Sequence, residues 1–169
     1  SSVSGTVAAV EPYADLAGNP VMHVIIDVEG DEWEESIDRT PDVVREIKLS
    51  KEEIIKKIQE CGIVGLGGAS FPTHIKLTPP PGKVAEYLLI NGAECEPFLT
   101  SDYRLMLEQP EQVLIGAKIM MKALDVTKCR FGVEENKPEA IAKLKTFAAQ
   151  YPEIEIVPLK KKYPQGGEK

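Results

Sequence analysis

The sequence predicts an α/β fold, a parallel sheet flanked by helices, with a small β segment ahead of it. Three observations carry this reading. Val- and Ile-rich runs separated by turn residues occupy residues 1 to about 40. Beyond residue 50, helical periodicities alternate with short apolar runs. The connections between them are short, as strand–helix–strand units require.

In the first segment, "SGTVAAVEPY" and "VMHVIIDVEG" read as antiparallel strands, and "ADLAGNP" as the turn between them. His23 falls inside the second run and reads as a core or edge histidine. "GDEWEES" reads as a solvated acidic turn or strand end. "DRTPDVVREIKLS" reads as a linker, which divides the chain into residues 1–45 and 46–169.

Past this linker, Ser50 and Glu53 have capping-box spacing, and Ile54, Ile55 and Ile58 share one helical face. Gly62 is placed to end that helix as its left-handed C-terminal residue. After the breaker "TPPPGK", residues 86–91 form an apolar run without alternation, the pattern of a strand buried on both faces in a parallel, doubly wound sheet. Val113, Leu114, Ala117, Met120, Met121 and Leu124 recur at helical spacing, with the methionines as core residues. A second strand is expected at 128–133, then a helix with Pro138 in its first turn, then a third strand at 154–159. The chain stops within a further glycine-rich loop, "KYPQGGEK", and reads as a piece of a longer protein, as does its opening "SSVSGTV".

Composition bounds the function. With 43% hydrophobic and 28% charged residues the chain is globular, and its net charge of −7 argues against a nucleic-acid binder. No apolar run reaches the ~18 residues of a membrane span. Cys61, Cys95 and Cys129 are evenly spaced, but their contexts do not repeat. Scattered cysteines and two histidines argue against a zinc site, an iron–sulfur cluster or a disulfide framework within these residues.

Three segments are candidates for chemistry. "GIVGLGGASFPTHIKL", residues 62–77, is a glycine-rich loop closing on Lys76, whose amides can cradle a phosphate while its glycines admit a flat ring. It lacks the G-K-[S/T] of a P-loop and follows a helix, unlike the dinucleotide fingerprint; a tight structural turn is the alternative. "INGAECEPFLTSD", residues 90–102, leaves the carboxyl end of a predicted parallel strand, where ligands of open α/β sheets bind. Asn91, Glu94, Glu96 and Asp102 gather there, suited to ribose hydroxyls, amides, a metal or acid–base work, or to capping the helix near Ser101. "YPQGGEK" is the third, and His74 is a further possible ligand contact.

These three segments, in this order, resemble the RnfC family of the Rnf electron-transport complex. That family is the peripheral NADH-oxidising subunit of a membrane-bound, ion-translocating NADH:ferredoxin oxidoreductase. The segments are also similar to the NADH-binding flavoprotein subunit of respiratory complex I. The resemblance implies a Rossmann-like domain after one half of a barrel-sandwich domain. It implies FMN and NADH as ligands, with Gly65, Gly67, Gly68, Ala69, Phe71 and Lys76 lining the site. Asn91, Glu94 and Glu96 would form its acidic segment, and Gly166 and Glu168 the third. Leu66, Ser70, His74, Ala93 and Gly167 depart from the complex I pattern, at positions that hold arginine, glycine, glycine, aspartate and glutamate there. By the same resemblance, two 4Fe-4S clusters belong to the parent protein, outside this chain, which would sit on the cytoplasmic side of the bacterial inner membrane against the complex's other subunits. The alternatives are a related NADH-binding flavoprotein subunit, and an assembly module that kept the fold without the cofactor.

Overall fold

The computed structural model describes residues 2–66 and 69–164 of the chain. The chain divides into two compact units, Ser1–Asp42 and Val43–Lys169. In the first, strands β1 (Gly5–Ala14) and β2 (Pro20–Val28) pair antiparallel, with a register irregularity between Val7 and Ala9. Asp15 builds the turn, its carboxylate accepting from the amides of Ala17 and Asn19 at 2.8 Å each. Nearly every residue of this ladder is exposed, Val10, Met22 and Val24 among them. His23 is exposed too, its Nδ1 2.7 Å from the Val21 carbonyl and its ring edge-on to Tyr13. It is an exposed residue of a two-stranded ladder, at an edge and not in a core.

The second unit starts at helix α1 (Lys51–Glu60), where the capping box forms: Glu53 N donates to Ser50 Oγ, and Ser50 N to the Glu53 carboxylate. Gly62, at φ 63°, ends the helix; its N–H bonds the Gln59 carbonyl and the Ile63 N–H bonds that of Ile58, a Schellman closure. One turn of helix, α2 (Thr73–Lys76), follows the glycine-rich loop. Strand β3 (Leu88–Gly92) then leads through a loop, buried at its start and exposed from Glu96 on, to α3 (Ser101–Glu108) and α4 (Pro110–Leu124). Strand β4 (Cys129–Glu134), α5 (Pro138–Ala148, Pro138 in its first turn) and β5 (Ile154–Leu159) complete it.

The sheet is parallel throughout, in the order β3-β4-β5, with Leu88 opposite Cys129 and Cys129 opposite Ile154. Leu88, Cys129, Phe131, Val133, Ile154 and Ile156 pack against Met106, Leu114, Ala117, Met121, Ala140 and Leu144 of the helices. Ile54 and Ile58 of α1 form a second cluster with Leu77 and Ala123. The face that carries Leu89 and Arg130 is open there, which corrects the expectation of a strand β3 buried on both faces. Leu89 is 71% exposed, and Arg130 pairs with Glu155 in the open. The sequence shows no alternation in β3 because its outward residue at 89 is itself apolar. Pro158 lies in β5 opposite Val133. Cys129 N donates to the Glu153 carbonyl and Glu135 N to that of Leu159, so odd-numbered residues of β5 bond β4 and position 158 faces the other way.

Candidate functional site

The glycine-rich loop is closed on itself. Val64 and Pro72 form an antiparallel bridge, Gly65 N donates to the Phe71 carbonyl at 2.9 Å, and Thr73 N donates to that of Ile63 at 3.1 Å. These bonds bring α2 back under the loop, so Lys76 reaches Gly65. A Cβ at Gly65 would stand 2.8 Å from Lys76 Nζ, so the missing side chain makes room for that ammonium. The same ammonium lies 6.0 Å from the Phe71 ring centre, and no carboxylate partners it among the described residues. Phe71 is 45% exposed, Ala69 is exposed, and Ser70 holds φ 50°, where a non-glycine residue is uncommon. His74 is half-buried, its carbonyl accepting from Thr78 Oγ1. Gly67, Gly68, Gly166, Gly167 and Glu168 lie outside the described residues.

The acidic segment has a different use for one of its carboxylates. Glu94, its side chain 5% exposed, accepts from Ser101 Oγ, from the amides of Asp102 and Tyr103, and from Lys137 Nζ at 2.9 Å. It thereby caps α3, whose N-cap residue Thr100 provides no side-chain bond of its own. Burial works against the Glu94 charge, but the Asp102 amide, Lys137 and the Tyr103 amide prevail and hold its carboxyl below the ordinary glutamate value. Asp102, expected as a cap or ligand, uses its backbone N–H here; burial and the Glu94 charge push its carboxyl up, Lys137 opposing. Asn91 Oδ1 turns inward on the Ala93 amide at 3.0 Å. Glu96 is exposed, its carboxylate without a protein partner among the described residues. Among the described residues, none of the hydrogen bonds of Glu94 reaches the glycine-rich loop.

Sequence reasoning passed over two residues here. Lys137 donates to both the carbonyl and the carboxylate of Glu94, 43 residues away. Glu134, at the carboxyl end of the central strand, is fully buried. No local pattern distinguishes Glu134 from the exposed Glu135 beside it, except that alternation continued from Val133 would point it outward. No group of three or more His, Cys, Asp or Glu side chains among the described residues is placed to hold a metal ion. Among the same residues, no helix is long and apolar enough to cross a membrane.

A parallel sheet whose first strand opens at its carboxyl end into a polar loop, preceded by a glycine loop with a lysine ammonium against it, belongs to the class of ligand-binding α/β domains. More narrowly, the chain belongs to the family of the Nuo51 FMN-binding domain, whose family model matches residues 58–169. Over its whole length it is 44% identical to the C component of the proton-translocating ferredoxin:NAD(+) oxidoreductase complex of Clostridium ljungdahlii, of which it spans 36%. It is also 44% identical, again over its whole length, to the Na(+)-translocating counterpart of Acetobacterium woodii, of which it spans 38%. Against the C component of the ion-translocating oxidoreductase complex of Serratia proteamaculans, identity is 43% over 98% of this chain and 23% of that protein. An air-oxidised NAD+-reducing NiFe-hydrogenase shares the fold, at TM-score 0.60 and 23% identity over 70% of this chain and 22% of that one.

Proposed function

We propose that these residues form the FMN- and NADH-binding part of the peripheral, NADH-oxidising subunit of a membrane-bound, ion-translocating oxidoreductase. The subunit sits on the cytoplasmic side and passes electrons from NADH through FMN to 4Fe-4S clusters elsewhere in the longer protein. One observation carries the reading: the Lys76 ammonium, without a carboxylate partner among the described residues, held against Gly65 beside the half-exposed Phe71 ring. A cation in that condition, next to an open aromatic surface, matches the phosphate and flat ring of a flavin nucleotide. FMN, when bound, supplies the exchange between a two-electron hydride donor and one-electron carriers.

The chain's own residues have narrower tasks. Lys76 neutralises phosphate charge, Phe71 packs against a ring, and Ala69 keeps the approach low. Glu96 accepts from ribose hydroxyls or the nicotinamide amide, Asn91 supports the same segment, and Glu94 holds it on α3 and Lys137. Gly67, Gly68, Gly166 and Glu168 are expected to complete the cradle, by resemblance. The test is spectroscopic. The full-length protein, purified and reconstituted with FMN, should carry flavin absorbance that bleaches on adding NADH. A protein that retains no flavin and shows no NADH-dependent change would instead support an assembly role.

A further inference from the structure

Both oxygens of Glu134 are buried without a hydrogen-bond partner among the described residues, on a residue with no exposed surface. A buried carboxylate in that condition is costly, and native proteins rarely leave one so. The nearest cation is Lys137, whose Nζ lies 3.9 Å from Glu134 Oε2, too far for a hydrogen bond. Lys137 is itself nearly buried, with a side chain 10% exposed. An ammonium has three donors, and two of them are engaged, one on the Glu94 carbonyl at 3.1 Å and one on Glu94 Oε2 at 2.9 Å. The third has no acceptor within bonding distance among the described residues. An unmet donor and two unmet acceptors thus face one another across a gap roughly 1 Å longer than an ordinary N–H···O bond. Tyr103 covers the same ammonium with its ring at 5.7 Å, so the charge has little freedom to leave for solvent.

We infer that Lys137 is a two-position cation and that Glu134 is its second seat. When ligand hydroxyl or amide donors reach the Glu94 segment, the ammonium closes onto Glu134 and gives up the Glu94 carbonyl and Oε2 to the ligand. Glu94 need not leave α3 for this: Oε1 keeps Ser101 and the Asp102 amide, and Oε2 keeps the Tyr103 amide. Ion pairing is conserved, because one carboxylate loses Lys137 as the other gains it. Glu134 is therefore a positioning residue acting through Lys137. The inference rests on the nucleotide-binding reading above and adds to it how an already satisfied carboxylate becomes available.

The two roles of Glu134 part in a simple comparison. In the flavin-loaded full-length protein, Glu134→Gln keeps shape but removes the charge that draws Lys137 away from Glu94. NAD+ titrated by calorimetry should bind about tenfold more weakly or worse. The melting temperature without NAD+ should hold or rise, since an unmet buried charge has gone. Adding Lys137→Met to Glu134→Gln frees Glu94 again and should return NAD+ affinity most of the way to wild type. Wild-type affinity in Glu134→Gln, or a loss of stability and affinity together, overturns the inference, and so does the absence of rescue. If the unsubstituted protein binds neither NAD+ nor NADH, the nucleotide-binding reading fails and the inference falls with it.

Discussion

Two glycines, each changed to alanine, should move stability in opposite directions. Gly92 ends β3, and a Cβ there would stand 2.6 Å from Phe131 Cε1 and 2.7 Å from the Gly132 carbonyl oxygen. The ring could tilt; the carbonyl belongs to β4 and cannot move without disturbing the ladder that pairs Gly92 with Val133. Alanine ordinarily gains about 0.4–1 kcal/mol over glycine through the unfolded chain. Forcing a methyl into a filled space costs about 1–3 kcal/mol. Gly92→Ala should therefore be destabilising by about 1–2 kcal/mol. Gly116 lies within α4 with nothing within 4 Å of its would-be Cβ, so Gly116→Ala should stabilise by about 0.5–1 kcal/mol. Urea titrations of both variants against wild type measure the two differences. Shifts of the same sign, or a stabilised Gly92→Ala, would refute the close approach of β3 and β4 at that point.

Other measurements reach the core, the site and the thiols. Leu114 is fully buried in α4, and Leu114→Ala should cost about 2–5 kcal/mol in the same titrations. Gly65→Ala should barely alter stability, since the flexible end of Lys76 can yield, yet weaken FMN binding in the full-length protein, as should Lys76→Ala; unchanged binding in both would remove Lys76 from the site. Glu94 titrates below its ordinary value in the fold, so its contribution is complete above about pH 4.3 and is lost as the pH falls through the lower folded value. The stability gap between wild type and Glu94→Gln should close over that acid range, while Asp102, pushed up, acts in the opposite sense as the pH rises. Burial pushes the Cys129 thiol up to about 11, whereas Cys61 is exposed. Iodoacetamide at pH 8 should label Cys61 and spare Cys129 until the chain is unfolded, as peptide mapping would report.

What was legible in the sequence was local or periodic. Ser50 and Glu53 sit three residues apart, so the capping box could be read directly, and Gly62 and Pro138 mark helix ends by backbone chemistry alone. The three parallel strands lie within two residues of where their apolar runs placed them. The number of covered faces was not legible, because burial of Leu89 depends on a layer that no stretch of β3 encodes. The single turn of α2 escaped because four residues are too few for a helical periodicity to repeat. In the acidic segment, residue type singled out the carboxylates, but the partners that decide the role of Glu94 lie far along the chain. Glu94 is taken up by α3 and by Lys137, 43 residues on, and Glu134 is singled out only by its burial.

Pro158 has a consequence for how copies of this sheet can meet. Because its ring occupies a position facing away from β4, a strand laid along the outer side of β5 would find a donor at Ile156, none at 158, and at Ile154 one already spent on the Tyr151 carbonyl. Open-ended stacking of sheets needs an unbroken row of such donors on both borders. The β5 border breaks that row near its carboxyl end, while β3, Leu88–Gly92, carries no proline. Crowding during expression should thus expose an asymmetric hazard, with association along β3 favoured over growth from β5. A charged residue introduced at Leu89 would be the direct way to improve yield.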